Sequence, residues 1–215
     1  MAKALLYWLN YYELSCKESV VNESSLRYPL SEFIERKMSG NVHFERRLDE
    51  NNKQKHLDFT YKVVIGGDEI AGGVEVKYVQ QYTRYTSEQQ RYFDDLARLS
   101  SLDNNNENIF VVFGPKSEFV TNFECLYDGR TKNDRAEYKN EDSIVPHGIY
   151  SSWLSFNLGE IKTILAEDYS GQFEEFFNNY NISRFNRIKT QLLTLQQDEN
   201  NYGTQIVAIW KVRKG

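Results

Sequence analysis

A chain of 215 residues, 40% hydrophobic and 14% aromatic, has enough apolar material for one sizeable core, which excludes an intrinsically disordered segment and demands no second domain. Its formal net charge of -5 excludes a protein that holds nucleic acid mainly by bulk positive potential. Cys16 and Cys125 lie far apart with no CxxC spacing and no clustered histidines, so neither a disulfide framework nor a zinc site is expected.

The apolar run from Lys3 to Leu9 is too short for a membrane span and lacks a small-residue cleavage site, so a cytoplasmic protein is expected. Tyr7, Trp8, Tyr11 and Tyr12 read as core or subunit interface rather than as a base-stacking platform. Residues 29–38 place Leu30, Phe33, Ile34 and Met38 near helical spacing and predict a short amphipathic helix. Residues 42–48 read as a modest strand. After a polar turn come two stronger strands, residues 57–65 and 74–79, with glycines at 66, 67, 72 and 73 between them.

Ser87 with Gln90 has the form of a capping box, and Phe93, Leu96, Ala97 and Ser100 then follow helical spacing, predicting a helix over residues 88–101. Residues 109–113 form an all-apolar run stopped by Gly114 and Pro115, as in a buried strand. Strand, helix and strand in this order predict a parallel crossover. Beyond it, residues 119–127 alternate like a strand, residues 158–168, 172–180 and 183–197 look helical, and residues 204–212 close the chain as a strand.

The chemistry-bearing residues lie on the two strong strands. Glu75 and Lys77 sit two apart and share a face, while Val74, Val76 and Tyr78 take the other. A two-residue turn at Gly66-Gly67 pairs Ile65 with Asp68 and counts back to Asp58 opposite Glu75; a turn at Gly67-Asp68 would put Asp58 opposite Lys77 instead. A bulge at Gly72-Gly73 would alter either count. Two adjacent carboxylates repel unless a cation neutralises them, which makes Asp58 and Glu75 a seat for Mg2+, or Mn2+ in its place. Such an ion would polarise a phosphate and acidify an attacking water, with Lys77 beside it to orient that water or stabilise developing charge.

This order of helix, three strands, helix and strand, with Asp58 on one strand and Glu75-Val76-Lys77 on the next, resembles the core of the PD-(D/E)xK nuclease superfamily, which includes many restriction endonucleases. The resemblance covers residues 29–113. It implies an α/β fold: a restriction endonuclease-like core with a mixed central sheet flanked by helices (α-β-β-β-α-β) at residues 29–114, and a mixed α/β extension at residues 115–215, within a single domain. It also implies a Mg2+-dependent endonuclease acting on DNA, with restriction or defence as the expected setting, Asp58, Glu75 and Lys77 catalytic, and Asp58 and Glu75 on the metal. A first-helix glutamate often joins these residues in the family, and Glu32 or Glu35 is placed to do so. Leu57 stands where the family motif has proline, and Gln89 with Phe93 only approaches the glutamine and tyrosine of the RecB-like branch.

The tripeptide ExK occurs four times in the chain, whose 31 acidic residues and 14 lysines make about two matches to (D/E)xK expected by chance. Only Glu75-Lys77 combines strand context with an acidic partner on the preceding strand. The bland alternative is an exposed sheet face carrying a solvated Glu/Lys pair. Arg84, Arg91 and Arg98 are candidate phosphate contacts, weighed against a solvated helix face. A second basic set, Arg184, Arg187, Lys189, Lys211, Arg213 and Lys214, carries the same two readings. Cutting both strands of a duplex favours a homodimer, and a non-catalytic module that binds nucleic acid or protein is the competing expectation.

Overall fold

The computed structural model describes residues 1–15, 21–44, 56–79, 85–102, 106–116, 118–119, 153–156, 188–197 and 205–214. The chain opens with α1 (Ala2–Leu14) and α2 (Glu23–Lys37), followed by β1 (Asn41–Phe44), β2 (Phe59–Ile65) and β3 (Asp68–Tyr78). Then come α3 (Tyr85–Ser100), β4 (Asn108–Pro115), β5 (Trp153–Phe156), β6 (Ile188–Gln197) and β7 (Gln205–Lys214). The strands form a 7-stranded sheet in the order β1-β2-β3-β4-β7-β6-β5. It is mixed, because β3 and β4 pair in parallel across α3 while every other pairing is antiparallel.

The α2 helix starts well before the predicted residue 29. Asn22 caps it by accepting from Ser25 N at 3.0 Å, while the Asn22 N–H donates to Ser25 Oγ at 2.8 Å. This reciprocal cap satisfies two orphan donors of the first turn and carries the helix through Pro29, despite the ladder bond that a proline cannot donate. Asn22→Ala is expected to cost about 1 kcal/mol and lower the unfolding midpoint by roughly 3 °C in a thermal melt. A wild-type midpoint would show that packing of Leu26 and Leu30 holds the turn without its cap.

The β2–β3 hairpin has the first of the two expected registers. Gly66 and Gly67 both take positive φ, 64° and 98°, as a type I′ turn needs, and Ile65 pairs with Asp68. Pairing runs unbroken to Phe59 opposite Val74, so Gly72 and Gly73 make no bulge. They serve close approach instead. A Cβ on Gly72 would lie 2.2 Å from the Glu107 carbonyl oxygen, and one on Gly73 would lie 2.6 Å from Leu102 Cδ1. The segment entering β4 therefore lies flat against β3.

One face of the sheet packs on α1 and α2. Phe59, Tyr61, Val63, Val74, Val76, Val111, Phe113, Val207 and Ile209 meet Leu5, Leu6, Leu9, Leu26, Leu30 and Ile34 there. The alternate residues of the same strands take the opposite face, where α3 brings Tyr92, Leu96 and Leu99 among its buried side chains. Trp210 sits in the core, 5.9 Å from Phe110 and 6.1 Å from Phe119 between ring centroids. Of the N-terminal aromatics, Trp8 and Tyr12 pack on the core while Tyr7 and Tyr11 face outward.

Residues 188–197, predicted helical, are a strand. Ile188, Thr190 and Leu192 are buried in alternation, but the register shifts between Leu192 and Thr194, and Leu195 is the next buried residue. That irregularity changes the parity of the strand, so Ile188, Leu192 and Leu195 mimic a helical period. Phe119, the first residue of the strand expected over residues 119–127, is helical together with Glu118. The remainder of that predicted strand, the helices expected over residues 158–168 and 172–180, residues 45–48 and both cysteines lie outside the described residues. The C-terminal strand is present as β7, and it joins β4, so the extension continues the central sheet. No helix among the described residues is long and apolar enough to cross a membrane.

Candidate active site

Asp58, Glu75 and Lys77 come together, and all three are buried, at 9%, 2% and 8% exposure. Glu75 and Lys77 alternate with the core residues Val74 and Val76 and so point to the α3 face. The solvated Glu/Lys pair of the bland alternative is not what the fold builds.

Asp58 sits one residue beyond the last β2–β3 pair, where continued register places it opposite Glu75. Its backbone no longer supplies the ladder there. Its side chain does, with Oδ2 accepting from Val76 N at 2.7 Å, while Oδ1 pairs with Arg27 of α2. Preceding it, Leu57 is fully buried. Burial raises the Asp58 pKa above the ordinary carboxylate value, against the lowering effects of Arg27 and the Val76 N–H; neighbouring Glu23 raises it further.

Lys77 Nζ lies 3.1 Å from Glu23 Oε1 and 3.1 Å from Asp95 Oδ2. An ammonium has three donors and no acceptor, so these pairs leave one N–H for a water or a phosphate oxygen. Glu75 Oε1 is in ion-pair contact with Arg98 Nε at 2.9 Å. Burial pushes its carboxyl up to about 8, helped by the Asp58 charge and opposed by Arg98 and Lys77. Asp94, also largely buried, is pushed up to about 7 by burial against the pull of Arg98, Lys77 and Arg91.

Glu32 and Glu35 do not join the cluster. Both are exposed on α2, and Glu32 pairs with Arg36 at 2.8 Å. The α2 glutamate at the site is Glu23, in the first turn, which the expected helix start at residue 29 left out. Arg98 is no solvated phosphate contact either, since it is engaged with Glu75 and Asp95. Arg91 is exposed, and Arg84 lies outside the described residues. Lys189, Lys211 and Arg213 share the sheet face opposite Glu75 and Lys77, and Lys211 pairs with Glu107. They do not extend the site.

Arg27, Glu23, Asp94 and Asp95 were missed in the sequence. Asp95 left a signal: Tyr92, Asp95, Leu96 and Leu99 are all buried at helical spacing, so an acid stands in the apolar stripe of α3. An ionised side chain in such a stripe needs a buried partner.

The described residues contain no group of three or more His, Cys, Asp or Glu side chains arranged to hold a metal ion. Two carboxylates suit Mg2+ nonetheless, because it keeps several waters and is bound through one or two carboxylates plus substrate phosphate. Glu75 Oε1 lies 2.9 Å from Arg98 Nε and Asp58 Oδ1 pairs with Arg27, so a cation held by these two carboxylates would take the place of those guanidinium contacts.

The fold and site define a mixed α/β protein with an α-β-β-β-α-β core and a buried acid–lysine cluster where β2 ends beside β3. No family model, curated protein or solved structure matches the chain.

Proposed function

We propose that the protein is a Mg2+-dependent endonuclease of the PD-(D/E)xK type that hydrolyses DNA phosphodiester bonds, working as a homodimer in restriction or defence. The observation that carries this reading is the convergence of Asp58, Glu75 and Lys77 in one buried spot on the α3 face of a mixed sheet. Asp58 and Glu75 would hold the cation. When bound, it supplies charge neutralisation at the scissile phosphate and acidifies water. The Val76 N–H fixes the Asp58 carboxylate, and the remaining Lys77 N–H is available to orient water or to meet charge on the phosphate.

Supercoiled plasmid incubated with Mg2+ or Mn2+ is expected to be nicked or linearised, and EDTA to stop the reaction. Asp58→Asn keeps an acceptor for Val76 N, and Lys77→Met keeps the stem, so each should fold while losing roughly 10³-fold in cleavage. Wild-type rates in both variants would discard the site.

A specific observation favours a second reading. Each charged member of the trio already has an internal counter-ion: Arg27 for Asp58, Arg98 for Glu75, and Glu23 with Asp95 for Lys77. A non-catalytic module that binds nucleic acid or protein would need no more than this closed network. Absence of cleavage with either metal, together with retained DNA binding, is its signature.

A further inference from the structure

Two aromatic rings stand exposed beside the charged cluster. Tyr28 of α2 is 71% exposed and Phe44 at the end of β1 is 41% exposed, and their ring centroids lie 5.4 Å apart. Phe44 in turn lies 5.9 Å from the fully buried ring of Phe59, so the outer pair is seated on the core. Among the described residues this is the one ring pair with both members exposed. Single apolar side chains are ordinary on a protein surface, whereas touching rings fixed to a rigid base point to something that covers them.

The fold sets the pair next to the site. Tyr28 follows Arg27, whose guanidinium pairs with Asp58, and Phe44 is the cross-strand partner of Phe59, the residue after Asp58. Pairing of β2 with β3 stops at Val74, and α2 reaches the cluster beyond that point through Glu23 and Arg27. These two are the most accessible of the ion-paired side chains there, at 36% and 23%, so the cluster meets solvent on the α2 side, where Tyr28 stands. A ligand lying across both features is flat at one end and anionic at the other, which describes a nucleotide: the base offers a π face to a ring, and its phosphate falls on the Arg27 side. Bases within a duplex are already stacked on both faces, so the base that fits is an unpaired one. We propose that Tyr28 and Phe44 form a stacking platform for an unpaired nucleobase of the strand whose backbone lies along the cluster. The inference rests on the nuclease reading for its ligand, and it requires neither a metal ion nor cleavage.

Binding of a fluorescent oligo-dT to the full chain, read by anisotropy in EDTA so that no strand is cut, tests it. Tyr28 is exposed enough that substitution there leaves the fold intact. Tyr28→Phe keeps the ring and binds as wild type does. Tyr28→Leu keeps apolar bulk without a π face, and affinity falls roughly ten-fold, within the range for loss of one stacked base. No charge is removed, so the dependence of affinity on salt keeps its slope. An abasic chain of the same length separates stacking from a merely structural part for Tyr28: Tyr28→Leu discriminates between oligo-dT and the abasic chain roughly ten-fold less than wild type does. Equal discrimination by the two proteins overturns the proposal, as does wild-type affinity in Tyr28→Leu. A Tyr28→Leu variant that sediments at lower mass than wild type would assign the rings to a contact between two copies of the chain, and that also overturns it. Failure of the nuclease reading looks different, because wild type would then show the full discrimination and still leave plasmid uncut with Mg2+ or Mn2+, a result that supports the platform while discarding the enzyme.

Discussion

Glu75→Gln is expected to lose metal-dependent cleavage by roughly 10³-fold or more while becoming more stable than wild type at pH 8 in the absence of metal. The stability half follows from burial. The Glu75 carboxyl ordinarily titrates near 4.5 and is pushed up to about 8 in the fold. Between those values the folded chain holds a proton there that the unfolded chain has released. Stability therefore falls as pH rises across that window, and the contribution is lost once pH passes the folded value.

Glutamine mimics the protonated acid, accepts no proton in either state and removes that slope. The difference in melting temperature between variant and wild type should accordingly be small at pH 5 and grow to several degrees at pH 8. Added Mg2+ should reverse the ranking, since it stabilises only a chain that binds it. A pH-independent difference would mean that Glu75 is not held protonated, and retained cleavage would remove it from the chemistry.

Gly72→Ala is expected to be the most damaging single methyl in the sheet. The added Cβ would lie 2.2 Å from the Glu107 carbonyl oxygen and 2.8 Å from its carbon, both backbone atoms that no rotamer change can move aside. That backbone is pinned on both sides. Glu107 N donates to Ala71 O at 2.8 Å, and Tyr61 OH donates to Glu107 O at 2.6 Å. Relief requires pulling the entry to β4 away from β3, next to the pairs that set Glu75 beside Phe110. A cost of about 3 kcal/mol, or roughly 10 °C in the unfolding midpoint, is the scale of such overpacking. An unchanged midpoint would show that the segment shifts freely, and the tight contact would then have no energetic weight.

Much of the central sheet was legible because its periods are local. The alternation around Glu75 and Lys77 decides the face within a few residues, and the two glycines of the hairpin narrow the register to two choices. Where the local period was ambiguous, the reading failed. The register shift near Leu192 made a strand look helical, and Pro29 masked a helix whose start lies in the reciprocal bonds of Asn22 and Ser25.

The same division runs through the site. By itself the sequence determined which residues share a strand face and narrowed the partner of Asp58 to Glu75 or Lys77, because strand geometry propagates register from the turn; the Gly66-Gly67 turn of the fold then set it opposite Glu75. Only the tertiary structure decided the counter-ions. Arg27 and Glu23 arrive from α2, and Asp95 and Arg98 arrive from α3. Their meeting depends on how two helices pack at the end of β3, a relation between distant segments that no local periodicity encodes.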